Sequence, residues 1–372
     1  MSLEPVIDVA AILEPIPGEN PAGIDPRENP SSASPYYRLK DARAAARAVE
    51  RSAIDADAPV PDEWGLVIDL GLTMLTSQAK DLEAATWLTE ALIRVEGFVG
   101  LRDGLTVLLS LVETFWDELY PQPDEDGLEI RISPVAGLAG SGATGTLDRP
   151  IRNTPLTDGA TGSFSFWHYE QANDLEKISD PDRRAARLET GTITLETFRK
   201  SLQETPPAVL RDTLATLGEC EATLTRLSDA LDEKAGMDAP SFTPLQELLS
   251  AVSGGLRFVA GDRIALAEQA VGTVAAGAPA AVGGPGVAGT GPAPARRPGE
   301  FDSRDEALTL LGQIGAYFRR TEPHSPLSYT IEDAVRRARL TLPELLKELA
   351  ESPEHMQHIM MAAGIRVISE EE

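Results

Sequence analysis

Apolar residues recur along this chain at intervals of three and four, the spacing that lines one face of an α-helix. Leu82, Ala85, Leu88, Leu92 and Val95 make one such stripe, and Leu101, Leu105, Leu108, Val112, Phe115 and Leu119 make the next. Leu210, Leu214, Leu217, Leu224 and Leu231 form a third, and Leu245, Leu248, Val252, Leu256 and Val259 a fourth. No stretch alternates as a half-buried strand requires. Helix starts share a signature, a hydroxyl residue followed by proline: Ser34-Pro35, Ser133-Pro134, Thr205-Pro206, Thr243-Pro244, Ser325-Pro326 and Ser352-Pro353. The hydroxyl can accept from a free N–H of the first turn, and proline at the first helical position loses nothing by lacking its own. Trp64, Trp87 and Trp116 fall on or beside the stripes and belong in the core. The predicted fold class is all-α.

The pattern breaks most sharply from Val271 to Gly299, VGTVAAGAPAAVGGPGVAGTGPAPARRPG, which has neither a period nor a large side chain. Such a segment cannot bury enough surface to offset chain entropy. It reads as a flexible Gly/Ala/Pro-rich linker with a root-mean-square reach of roughly 30 Å. Weaker, loop-like breaks fall at Tyr120–Gly127 and Thr154–Tyr169. The expected organisation is a helical domain over 1–157, a second over 160–270, the linker at 271–299 and a small helical domain over 300–372. In that last block Leu308, Leu310, Leu311 and Ile314, and later Leu340, Leu342, Leu345, Leu346 and Leu349, lie on more than one side of their helices. A domain of about seventy residues has too little interior to hide them all, so some are expected to face other subunits.

Composition narrows the function classes. The apolar content is 42% but the aromatic content only 5%, so Ala, Leu and Val carry it, which suits helices. The formal net charge of −26 opposes a phosphate backbone and argues against nucleic-acid binding. It argues equally against a basic membrane-surface helix. The single cysteine, Cys220, allows no intrachain disulfide and no Cys-based zinc site, as expected of a reducing compartment. Acids and prolines interrupt the apolar start of the chain, so no signal peptide is expected. No uncharged apolar run outside the linker is long enough to insert in a membrane.

Candidate chemistry is sparse. Gly140-Ser141-Gly142-Ala143-Thr144-Gly145 satisfies the dinucleotide pattern G-x-G-x-x-G, but Pro150 and Pro155 follow too soon for the helix that would receive a pyrophosphate. Ala143 also stands where a phosphate-binding loop needs lysine. The stretch reads as a surface loop, with no cofactor. His355 and His358 are close enough to share a metal, yet no third ligand is indicated, and no metal is expected. His168, between Trp167 and Tyr169, suits a packed aromatic corner.

The most concentrated polar group is Arg319-Arg320-Thr321-Glu322-Pro323-His324-Ser325-Pro326. As a catalytic site it would pair Ser325 with His324, but neighbours in sequence seldom direct their side chains at one another, and no nucleophile-elbow glycines are present. As a corner it explains more residues. Pro323 stops one helix, Ser325 caps the next, and Pro326 opens it. Arg319 and Arg320, with Arg336, Arg337 and Arg339, cluster in an otherwise acidic chain. They suit either a solvated helix face or pairing with Glu322, Glu332 or Asp333 across a subunit boundary. From the residues alone, a helical enzyme with an unrecognised site and a generic scaffold both stay open.

The stretch Tyr317-Phe318-Arg319-Arg320-x-Glu322-Pro323-x-Ser325-Pro326 resembles the C-terminal signature of the TssA proteins of bacterial type VI secretion systems. PGENPAGIDPRENP (Pro17 to Pro30), the helix start at Pro35-Tyr36-Tyr37, KDLEAATWLTEALIRVEGFVGLRDGL (Lys80 to Leu105) and FWDELYPQPDEDG (Phe115 to Gly127) resemble the ImpA N-terminal domain of the same family. The resemblance implies a non-enzymatic cytoplasmic assembly factor that forms a homo-oligomeric ring through its C-terminal domain. It implies contacts with the baseplate, the inner-tube protein, the contractile sheath and the membrane complex, and a part in starting or guiding sheath–tube growth. It also implies the short, baseplate-like C-terminal type, with Arg319, Arg320, Glu322, Pro323, Ser325 and Pro326 forming the corner that supports oligomerisation.

Overall fold

The computed structural model describes residues 3–52, 59–125, 127–140, 144–275, 304–321, 327–338 and 340. The chain divides into two compact units, Met1–Ala280 and Ala281–Glu372. The first holds α1 (Val9–Leu13), α2 (Pro35–Ser52), α3 (Glu63–Ser77), α4 (Leu82–Phe115), α5 (Glu129–Ala139), α6 (Asp148–Asn153), α7 (Phe166–Glu176), α8 (Pro181–Glu189), α9 (Leu195–Glu204), α10 (Pro207–Ala235) and α11 (Thr243–Ala275). Short 3-10 turns occupy Pro26–Glu28 and Gly236–Asp238. The second unit holds α12 (Arg304–Thr321) and α13 (Leu327–Ala338). Among the described residues there are isolated bridges but no strand. The fold is all-α, as the periodicity indicates.

The core of the first unit is built on α4, which α1, α2, α3, α5, α6 and α10 pack around. Most of its residues are buried on every side, among them Leu88, Leu101, Leu105, Leu108 and Val112. The two apolar stripes predicted on either side of Gly97 turn out to be two arms of one element. Gly97 takes φ 61° and ψ −142°, outside helical values, and the chain folds back there. The return arm lies against the outgoing one so closely that a Cβ on Gly104 would stand 2.8 Å from the Cγ2 of Thr89. A Cβ on Gly100 would stand 2.2 Å from the carbonyl oxygen of Leu92. The far ends of the hairpin also meet, because Leu82 N–H donates to Tyr120 O at 2.7 Å and Tyr120 N–H to Lys80 O at 2.9 Å. The glycines of VEGFVGLRDG are what let a helical hairpin close with a single-residue turn.

Several predicted starts shift. Ser34-Pro35 opens α2 as expected, with Ser34 Oγ accepting from Tyr37 N–H at 3.5 Å. Ser133-Pro134 is no start: Pro134 lies inside α5. The helix begins earlier because the side chains of its first turn, Arg131 and Ile132, are drawn into the core. Thr205-Pro206 precedes α10 by one residue more than expected. Thr205 Oγ1 is otherwise engaged, accepting from Asp158 N–H at 2.8 Å and donating to Ser201 O at 2.8 Å. Val95, placed on a core stripe, is 44% exposed, since it sits just before the reversal at Gly97. The helical part of α11 runs on to Ala275, past Val271 where the composition changes.

In the second unit α12 packs on α13 through Gly315, where an added Cβ would come within 3.1 Å of Ile331 Cγ2. Only Gly315 and Ser328 are buried among its described side chains, while Leu310, Ile314, Tyr317 and Tyr329 are exposed.

Candidate functional site

Of the six residues singled out in the C-terminal stretch, Arg319 and Arg320 occupy the last turn of α12. Glu322, Pro323, Ser325 and Pro326 lie outside the described residues, as do His324, His355 and His358. Arg319 reaches across to α13, with Nη2 2.8 Å from Glu332 Oε2 and its guanidinium 4.5 Å from the ring centre of Tyr329. On α13, Asp333 receives Arg336 at 2.6 Å and Arg337 at 3.0 Å. Of the acids named as candidate partners across a subunit boundary, Glu332 and Asp333 therefore have arginine partners within the chain. All these groups are well exposed, and exposed pairs contribute only about 0–1 kcal/mol each. Their value is orientation: Arg319 ties the end of α12 to the middle of α13.

The N-terminal signature PGENPAGIDPRENP builds a denser polar lock. Asp25 caps the 3-10 turn that carries Arg27. Arg27 Nη1 lies 2.6 Å from Asp81 Oδ2, and Nη2 2.8 Å from Glu83 Oε2. Tyr36 donates its hydroxyl to the same Glu83 oxygen at 2.7 Å, beneath the Arg27 guanidinium. Asp81 is wholly buried and caps α4, accepting from Ala84 N–H at 2.8 Å. Burial pushes its carboxyl pKa up, against the pull of Arg27. Burial alone would lower the pKa of Arg27, but Asp81 and Glu83 hold it above its ordinary value. Asn20 makes an Asx turn to Ala22 N–H at 2.9 Å and donates to the Tyr120 hydroxyl at 3.2 Å.

Among the described residues, Lys80 and Arg131 are buried cations with no carboxylate at hydrogen-bonding distance. Lys80 Nζ donates to the carbonyls of Ile12 and Leu75 (2.5 and 2.8 Å), in the last turns of α1 and α3. Burial lowers its pKa to about 8. Arg131 donates to Pro121 O, Trp116 O and Leu119 O at 2.8, 2.7 and 2.6 Å, closing the C-terminal end of α4. Helix ends carry free carbonyls and partial negative charge, which is what these cations satisfy. The sequence reading missed them, since a lone Lys or Arg in a helical stretch gives no local sign of the carbonyls it will meet.

Groups that could suggest chemistry have structural occupations. Gly140 is the left-handed C-cap of α5, at φ 94°, and the short α6 follows the glycine-rich stretch. Ser165 and His168 sit 2.9 Å apart at one edge of a cleft of about 840 Å³ that Arg94, Arg149 and Phe164 also line. Their arrangement is a capping box at the start of α7, in which Nδ1 accepts from Ser165 N–H at 3.1 Å. The aromatic corner is present too, with Trp167 5.1 Å and Phe164 5.4 Å from the imidazole. Burial raises the Cys220 thiol pKa far above its ordinary range. Among the described residues no group of three His, Cys, Asp or Glu is placed to hold a metal, and no helix is long and apolar enough to cross a membrane.

These details coincide with a known family. Residues 13–140, which contain the polar lock and the α4 hairpin, match the family described as ImpA, N-terminal, type VI secretion system. The first unit also resembles a solved structure, the N-terminal domain including the conserved ImpA_N region of the TssA component of the type VI secretion system from Burkholderia cenocepacia. That likeness has a TM-score of 0.58 and 30% identity, covering 70% of this chain and 98% of that one. The chain belongs to the TssA family. Type VI secretion system component TssA1 of Pseudomonas aeruginosa is 25% identical over 354 residues, 92% of this chain and 95% of that protein. The TssA likeness thus spans both units, and the polar lock falls within its matched N-terminal region.

Proposed function

We propose that this TssA-family protein is a non-enzymatic assembly factor that forms a homo-oligomeric ring through residues 300–372 and helps start or guide tube–sheath growth. The observation that carries this reading is the near full-length match to a type VI secretion component, which extends into the C-terminal unit. The exposure of Leu310, Ile314, Tyr317 and Tyr329 on so small a unit supports a subunit contact there. Like subunits repeating one head-to-tail contact make either a ring or a filament, and a secretion baseplate needs a finite object. The N-terminal unit would then radiate on the linker at 271–299 and meet baseplate, inner-tube, sheath and membrane-complex proteins. Such work belongs in the cytoplasm, at the inner-membrane-associated apparatus. A non-catalytic reading is supported by the Ser165–His168 pair, which is occupied as a capping box, and by the buried Cys220 thiol. Electron microscopy of the purified full chain tests the ring: closed particles of one size are expected, and a monodisperse monomer would overturn the reading.

A further inference from the structure

One face of α11 is left bare, outside the segment 300–372 proposed to form the ring. From Glu247 to Phe258 the outward positions are Glu247, Ser250, Ala251, Gly254, Arg257 and Phe258. At 3.6 residues per turn they share one stripe. The opposite side, with Leu245, Leu249, Val252 and Leu256, is buried in the core. Phe258 is 81% exposed. Nothing lies within 4 Å of where a Cβ on Gly254 would be, so a protruding ring stands beside a hollow. Arg257 and Glu247 are exposed at opposite ends of the stripe, and neither has an ion-pair partner among the described residues.

We infer that this face binds the same face of a second copy of the chain, the two α11 helices lying antiparallel about a two-fold axis. A stripe that carries a cation at one end, an anion at the other and small residues between them is complementary to its own antiparallel copy. Charge sets the direction. In an antiparallel pair centred on Val252, Ser250 of each copy meets Gly254 of the other, and these small residues allow close approach of the backbones. The same register sets each Arg257 level with the Glu247 of the other copy, because both pairs are centred on Val252. Each Phe258 then falls over Pro244, Ala251 and the methylene stem of Glu247. A parallel pair would oppose like charges instead. One helix face is smaller than the roughly 800 Å² per partner of a stable interface, so the contact is a weak one that suits copies already held close together. An isologous contact also ends at two, and so does not compete with a ring.

Cross-linking in the full chain tests it. Ala251→Cys places a thiol beside the axis, while the native Cys220 thiol is fully buried and stays silent. A short bis-maleimide is expected to give a covalent dimer. Arg257→Glu should lower the yield by about tenfold, equivalent to ~1.4 kcal/mol, and adding Glu247→Arg should restore it. Particle size by light scattering on the same samples should not change, which separates this contact from the ring. No dimer with Ala251→Cys, a yield indifferent to Arg257→Glu, or a loss that the charge swap does not repair would each overturn the inference.

Discussion

Lys80 shows how much a single residue's role depends on what surrounds it. It is fully buried, and its ammonium group faces the carbonyls of Ile12 and Leu75, with no carboxylate of the described residues at hydrogen-bonding distance. Its pKa falls from the ordinary 10.5 to about 8, so between those values the unfolded chain binds more protons than the folded one. Stability should therefore rise with pH across that window, and the cost of the buried charge is fully present below pH 8. Urea unfolding of the wild type and Lys80→Met at pH 7 and pH 10 is expected to show the wild type gaining about 2 kcal/mol relative to the variant. No relative gain would mean that the two carbonyls stabilise the charge as well as water does. Gly23 is a second case, since a Cβ there would lie 2.0 Å from Gln78 O. Both residues stand in motifs legible in the sequence, yet their partners could not be read there. Arg27, for example, meets Asp81 across 54 positions and Glu83 across 56.

At the scale of elements, the helical stripes were legible and the reversal between two of them was not. Three glycines within eight positions, Gly97, Gly100 and Gly104, are the means of closing the α4 hairpin. Gly100→Ala must push against the Leu92 backbone, which no rotamer change relieves, and should cost more than about 3 kcal/mol or prevent folding. Gly218→Ala in α10 meets nothing within 4 Å and should be neutral or stabilise by about 0.5–1 kcal/mol. Thermal unfolding of both variants checks the pair, and equal effects would contradict the hairpin. The linker is a prediction of composition. Elastase should cut between Val271 and Gly299 long before it nicks the flanking helices, leaving fragments that end near 270 and begin near 300. Earlier cleavage inside the helices would remove that division.

For the whole molecule, the prediction concerns where assembly resides. The fragment from Glu300 to Glu372 should sediment as a closed oligomer, and residues 1–270 should form no ring. A monomeric C-terminal fragment beside a ring-forming N-terminal one would reverse the assignment. In the sequence Pro323, Ser325 and Pro326 read as a stop and a start, and these three lie outside the described residues. The structure adds that Arg319 binds Glu332 and that Asp333 holds Arg336 and Arg337. Those arginines were therefore only half readable: their clustering is a matter of sequence, while their partners depend on how α12 lies on α13.

The sequence by itself determined the all-α class, the main apolar faces, the change of composition at the linker and the family signatures. All of these are local, because helix periodicity, proline stops and glycine content act over a few residues. The tertiary structure alone decided that Gly97 folds two helices into one hairpin, that α5 begins before its proline, and that Lys80 and Arg131 close helix ends. Each of these is settled by groups brought together from distant positions, where burial and hydrogen bonding outweigh local preference.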